Sequence, residues 1–215
     1  VSGTKLNDVI VGDSKSNTLR GDSGNDTIKS GGGKDIIDAG AGDDIITVTN
    51  ANDGSTTVIT GVGRDTITFT KTYYDSLFNI GAEALTITDF TAGTLGDLLD
   101  VSELFKDVAV GYDGSNPILN GYIDLVTDVD DVKLQFDGDG AFDKTFNPVT
   151  IALLKDTRRG DLDKTNFNPS FDVPPPTIQG TNRSEVINGT ADGEWIYAYN
   201  GFDSVNAGAG EDRLY

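Results

Sequence analysis

A single aliphatic residue recurs every nine positions near the start of the chain, at Ile10, Leu19, Ile28, Ile37 and Ile46. Its neighbours on either side are polar or mixed. That pattern suits a strand of about three residues that buries one side chain and exposes two. Two positions before each aliphatic stands Asp8, Asn17, Asp26, Asp35 or Asp44. Glycines crowd the positions before the acid, among them Gly24, Gly33 and Gly42. They supply the positive φ values that a turn of about six residues needs. A fixed nine-residue period means stacked coils. Two units make one coil, so residues 18 apart stack at roughly the strand spacing of 4.8 Å. Asp8, Asp26 and Asp44 then line one side, and Asn17 and Asp35 the other. After Thr47 the phase slips. Asp53 reads as the acid of a sixth turn, with Gly54-Ser55-Thr56 inserted before the strand Thr57-Val58-Ile59. The period resumes at Thr60, with Gly63 and Asp65 in phase. This register puts Asp65 near Asp44 and Asp53 near Asp35.

Residues 71–172 carry no repeat. Phe69 to Tyr74 reads as a strand leaving the stack. Alternating runs at Leu85–Phe90, Tyr122–Val126, Val132–Phe136 and Val149–Leu154 read as further strands. Asp128 to Asp131 is a hairpin turn between the second and third. Short helical turns are expected at Ser102–Phe105 and Arg159–Leu162. The fold class expected is all-β. A repeat block at 1–70 is followed by a small antiparallel β-domain at 71–172, which continues the stack and covers its open end. Residues 173–179 contain Pro174-Pro175-Pro176 and read as a stiff linker. The nine-residue unit returns at 180–215, with Glu185, Glu194, Asp203 and Asp212 at the acidic positions and Ile187, Ile196, Val205 and Leu214 inward. This second block is expected to continue past Tyr215. Trp195 and Tyr197 flank Ile196 and should face outward.

Stacking creates an electrostatic problem. Two carboxylates about 5 Å apart repel by roughly 3 kcal/mol at an effective dielectric near 20. A hard cation between stacked turns removes that repulsion. Carboxylates and turn carbonyls are oxygen donors, and flexible coordination by oxygen suits Ca²⁺. The candidate ligands are therefore Asp8, Asn17, Asp26, Asp35, Asp44, Asp53, Asp65, Glu185, Glu194, Asp203 and Asp212, with the turn glycines Gly24, Gly33, Gly42 and Gly63. Asn17 keeps an oxygen but lacks the charge, and Glu185 and Glu194 are one carbon longer than Asp. Asp137 and Asp139, in Asp137-Gly138-Asp139-Gly140, form a separate acidic loop that lacks the full ligand set of an EF-hand. Roughly five to eight calcium ions are expected in all.

Composition agrees. The chain has 35 acidic and 16 basic residues among 215, a formal charge of −19. Nucleic acid is therefore not an expected partner. There is no cysteine and no histidine, which removes disulfides, His-dependent triads and His-ligated zinc. No apolar run is long enough to span a membrane.

Gly31-Gly32-Gly33-Lys34-Asp35-Ile36-Ile37 and Gly40-Ala41-Gly42-Asp43-Asp44-Ile45-Ile46 resemble the RTX, or haemolysin-type, calcium-binding repeat G-G-x-G-x-D-x-U-x. The resemblance implies a Ca²⁺-bound parallel β-roll that is disordered without the ion. It also implies a bacterial protein exported by type I secretion and folding on extracellular calcium. Ile87-Thr88-Asp89-Phe90 and Asp97-Leu98-Leu99-Asp100-Val101-Ser102 resemble the segment that follows such repeats in secreted haemolysin-type proteins and alginate epimerase R-modules.

No intrinsic catalysis is expected, because neither a zincin motif nor a G-x-S-x-G elbow is present. The expected function is a calcium-binding structural module of a larger secreted RTX protein, with calcium ions and type I secretion machinery as partners. The alternatives are an adhesin or glycan-binding module, or an accessory module of a polysaccharide-active or hydrolytic enzyme.

Overall fold

The computed structural model describes residues 1–49, 55–80, 84–140 and 147–215. The first block forms seven short strands: β1 Val9–Val11, β2 Thr18–Arg20, β3 Thr27–Lys29, β4 Ile36–Ala41, β5 Ile45–Val48, β6 Thr57–Val62 and β7 Thr66–Phe69. Odd and even strands fall into two facing parallel sheets. In one, Ile10 lies beside Ile28, Ile28 beside Ile46 and Ile46 beside Ile67. In the other, Leu19 lies beside Ile37 and Ile37 beside Val58. The chain is thus a parallel β-roll whose core is one aliphatic rank from each sheet. Ile10 is 4% exposed and the other six are fully buried.

Asp53 lies outside the described residues. The phase slip nonetheless resolves as expected at its far end, since β6 starts at Thr57 opposite Ile36.

Beyond β7 the expected strand over Phe69–Tyr74 is not formed. β7 stops at Phe69 and helix α1 runs Lys71–Ile80. The Thr70 hydroxyl accepts the Tyr73 N–H at 3.1 Å, the bond an N-cap makes to the third residue of a helix. Tyr73, Tyr74 and Leu77 are buried, and their spacing places them on one helical face. In isolation a Phe–Tyr-rich hexamer reads as a strand; here the threonine cap and the apolar stripe override that propensity.

Both roll sheets continue into the non-repeat region. β8 Leu85–Ile87 adds to β6, and β9 Leu98–Asp100 adds to β7, each in parallel. Helix α2 spans Ser102–Asp107. The strands β10 Ile123–Asp128, β11 Asp131–Phe136 and β12 Val149–Leu154 follow, and the three pair antiparallel in that order. β12 then joins β8 in parallel, and β13 Phe167–Asn168 joins β9. The region is therefore antiparallel only at its outer edge. The seven-stranded sheet runs unbroken from β10 to β2, and the six-stranded sheet from β1 to β13. Short helical turns form at Arg159–Asp161 and Lys164–Asn166.

Strand β14, Thr177–Gln179, begins inside the segment read as a linker. With β16 Trp195–Tyr197 and β18 Arg213–Leu214 it makes one parallel wall of the second block. β15 Val186–Asn188 and β17 Ser204–Asn206 make the other. Among the described residues no helix is long and apolar enough to cross a membrane.

Burial of one aliphatic per strand sets the cost of losing it. Ile37→Ala should destabilise the folded chain by about 2–5 kcal/mol. Val9→Ala, at a side chain 75% exposed, should stay within about 0.5 kcal/mol. Denaturant titration of both variants at saturating calcium tests this, and equal losses would contradict the inward assignment.

Candidate metal centre

The register that stacks the aliphatics also stacks the acids. On one side the amide of Asp8 donates to Asp26 Oδ1 at 2.7 Å, and that of Asp26 to Asp44 Oδ1 at 2.7 Å. The Asp44 amide donates to Asp65 Oδ1 at 2.8 Å, and that of Asp65 to Asp97 Oδ1 at 3.0 Å. On the other side Asn17 donates to Asp35 Oδ1 at 2.8 Å. Each carboxylate is thus held by one oxygen to the backbone of the neighbouring coil, and its second oxygen is left to point elsewhere.

That second oxygen is the defining feature. The Oδ2 atoms of Asp26, Asp35, Asp44 and Asp65 are buried and have no hydrogen-bond partner. All four side chains are at most 1% exposed. No ion pair among the described residues involves them. Burial pushes the carboxyls of Asp35 and Asp44 up to about 6 and that of Asp65 to about 7. Asp65 also feels the neighbouring acids Asp97, Asp44 and Asp43. An unpaired buried carboxylate is among the most unfavourable groups a fold can contain, so the four oxygens call for a cation.

The turns explain the glycines. Gly24, Gly33, Gly42 and Gly63 all have positive φ, between 89° and 144°. A Cβ on Gly42 would overlap the Gly24 carbonyl, and one on Gly63 the Gly42 carbonyl. The carbonyl oxygen of one coil therefore lies close against the glycine Cα of the next, in the turns that lead into the acids. Among the described residues no three His, Cys, Asp or Glu side chains converge. An ion here would take one or two carboxylates and complete its shell from turn carbonyls and water, an all-oxygen set suited to Ca²⁺.

Other predicted residues fall elsewhere. The Thr56 hydroxyl faces the Asp35 amide at 3.4 Å, where a carboxylate oxygen stands in the other coils; Asp53 lies outside the described residues. Glu185 and Glu194 stack beneath Asp203 and Asp212, with amide-to-carboxylate distances of 3.1 and 2.9 Å. Asp137 and Asp139 belong to neither row. They are buried beyond β11, where the Asp139 amide donates to Asp137 Oδ1 at 3.2 Å and the Asp137 amide to the Tyr122 carbonyl at 2.9 Å. Burial, with Asp139 beside it, pushes the Asp137 carboxyl up to about 6.

Asp97 extends the acid row without having been singled out from the sequence. Its signal was present: Asp97-Leu98-Leu99 repeats the acid-x-aliphatic spacing. Both its oxygens are used, Oδ1 by Asp65 and Oδ2 by the Thr91 amide at 2.8 Å and the Thr60 hydroxyl at 3.2 Å.

The RTX calcium-binding nonapeptide repeat family (HemolysinCabind) matches the chain in four copies, over residues 2–36, 11–46 and 179–215. The chain carries RTX calcium-binding repeats. Among solved structures, the solution structure of the AlgE6R3 subunit from the Azotobacter vinelandii mannuronan C5-epimerase is similar, at 23% identity over 77% of this chain and 79% of that one, with a TM-score of 0.31. No curated protein sequence matches.

The raised carboxyls fix the sign of a pH effect in the RTX roll. A group whose folded pKa lies above its value of 3.8 in the unfolded chain stabilises the fold below 3.8. That contribution is lost as pH rises through about 6 to 7. In excess chelator, circular dichroism should therefore show strand structure increasing as pH falls from 7 toward 4. A metal-free spectrum indifferent to pH over that range would contradict the burial of these acids.

Proposed function

We propose that this chain is a calcium-dependent structural module of a larger secreted protein, which stays unfolded at low calcium and folds on reaching the extracellular medium after type I export. The observation that carries the reading is the set of four buried carboxylate oxygens without a donor. Asp26, Asp35, Asp44 and Asp65 are the ligands proposed for block 1, one ion for each free oxygen, with Asp203 and Asp212 in block 2. Carbonyls of the Gly24, Gly33, Gly42 and Gly63 turns complete the shells. Calcium binds the folded coil and not the unfolded chain, so its free energy becomes folding free energy. Affinities of roughly 10⁻⁴–10⁻³ M, typical of extracellular modules, would keep the chain open in a cytosol and closed outside it. Residues 71–172 act as the cap of the first roll, and 180–215 as the start of a second.

A second reading, an accessory module that contacts a glycan, has one observation in its favour. A cleft of about 510 Å³ lies between the cap and block 2, with Trp195, Arg158, Arg159 and Arg213 in its walls. An indole face with guanidinium groups beside it is suited to a sugar ring.

Calcium titration followed by circular dichroism tests the leading reading. The expected result is little regular structure in excess EGTA and a cooperative gain of strand on adding calcium. A fully folded spectrum in EGTA at neutral pH would overturn it. Asp26→Ala should raise the calcium midpoint about tenfold, the equivalent of losing about 1.4 kcal/mol. Asn17→Ala should raise it severalfold less. Equal midpoints for the two would refute the ligand assignment.

A further inference from the structure

Two classes of acidic position are present in this chain, and they divide by place in the stack. In the first coil of each block the side chain turns back onto the residue four before it. Asp8 Oδ2 accepts the Thr4 amide at 2.7 Å and its hydroxyl at 2.9 Å. Asn17 Oδ1 accepts the Asp13 amide at 2.8 Å. Glu185 accepts the Thr181 amide, and its other oxygen the Thr181 hydroxyl at 3.1 Å. Glu194 accepts the Thr190 amide at 3.1 Å and the hydroxyl of the same residue.

In the later coils the corresponding residue is left-handed. Asp22, Gly31, Gly40 and Gly61, four before Asp26, Asp35, Asp44 and Asp65, have φ of 79°, 82°, 105° and 93°. Tyr199 and Gly208, four before Asp203 and Asp212, have φ of 61° and 95°. Thr4, Asp13, Thr181 and Thr190 are not left-handed. The backbone flip removes the donor, and the block 1 acids that follow a flipped residue are the ones left with an unpartnered oxygen.

Residue choice follows the same line. Every later position that follows a left-handed residue is Asp: 26, 35, 44, 65, 203 and 212. Three of the four first-coil positions are not, being Asn17, Glu185 and Glu194. Closing on an N–H needs an acceptor oxygen but no charge, so an amide serves. A longer side chain also reaches a donor within its own turn. Binding a cation needs the charge, and sharing it between coils fixes the side-chain length.

We infer that Asp8, Asn17, Glu185 and Glu194 are not calcium ligands but closing residues of cation-free starter coils. Thr4, Asp13, Thr181 and Thr190 supply the donor that takes the cation's place. This rests on the calcium reading of the later coils and refines it. Block 2, with its own pair of starter turns, begins a new roll and is not a continuation of the first. Each starter coil presents formed backbone groups on which the first cation-bound coil assembles, and so it lowers the calcium needed for that coil.

Trp195 is the chain's one tryptophan. It is half-buried on β16, and its fluorescence reports block 2 in the intact protein. The test is a calcium titration of the whole chain read at Trp195. In the double variant Glu185→Gln/Glu194→Gln each side chain keeps an acceptor oxygen and loses its charge, and the midpoint should move less than about twofold. Thr181→Gly/Thr190→Gly removes the hydroxyl donors and frees the backbone to flip, and the midpoint should rise severalfold. Asn17→Asp should leave the number of bound calcium ions unchanged. A tenfold or larger shift in the glutamine variant, or one extra ion in Asn17→Asp, would make these positions ligands and overturn the inference. A wild-type chain whose fluorescence ignores calcium would instead overturn the calcium reading itself. If the glycine variant fails to fold at any calcium level, closure is essential, and the glutamine variant still separates cap from ligand.

Discussion

Four carboxylate oxygens buried without a donor set the terms for the rest of this fold. Each belongs to an aspartate whose other oxygen accepts an amide from the neighbouring coil. The backbone thus holds the acid in place and shields it from water without neutralising it. The hydrophobic core offers little to offset that cost. Each three- or four-residue strand of the first five coil sides buries a single central aliphatic or little more, worth roughly 1.5–3 kcal/mol when fully buried. A wall this thin gains stability from its turns, and a cation joining them would supply it. On the calcium reading proposed above, the ion is part of the folding equilibrium, as a structural metal is in other small-core domains.

The stack also has to end. An open last coil would expose a row of unpaired backbone groups, and its last carboxylate would have no neighbour. Asp97 solves the second problem by taking donors from Asp65, Thr91 and Thr60, so the row finishes in hydrogen bonds. β8 and β9 extend the two sheets, and β10–β12 turn one edge antiparallel. Helix α1 ties this region to the roll: the Tyr73 hydroxyl donates to the Ile151 carbonyl at 2.8 Å and accepts the Leu85 amide at 2.7 Å. With Tyr73, Phe105 and Phe136 buried, the cap holds large aromatic side chains that the aliphatic ranks of the roll lack.

The roll was legible because its period is rigid. Acid, spacer and aliphatic at fixed intervals determine strand, register and side together, and a one-residue slip would move Ile28 or Ile37 to solvent. The cap was legible strand by strand, as at Val149–Leu154, but not in its pairing. Parallel addition of β12 to β8 joins segments more than sixty residues apart, and local pattern carries no trace of that. α1 was missed because aromatic and β-branched residues favour strands on average, while its deciding signal is a single capping threonine. Thr56 was missed for a related reason. The eye follows the acid, whereas the register follows the aliphatic, and the residue two before Val58 is a threonine.

That substitution makes the two sides of the roll unequal. One side carries a row of five acids, Asp8, Asp26, Asp44, Asp65 and Asp97, of which three have an unpartnered oxygen. Among the described residues the other carries Asn17, Asp35 and Thr56, with one. Repulsion between stacked acids acts mainly on the first side, and it is there that Asp65, with Asp97, Asp44 and Asp43 around it, is pushed furthest, to about 7. The second side loses charge at both ends, to an amide at Asn17 and a hydroxyl at Thr56, and so demands less of a cation. The coils share both sides, however, and cannot order one without the other. On the calcium reading, neutralising the long row is therefore the step on which closure of the whole roll would depend, with the short row following from the register that the long row imposes.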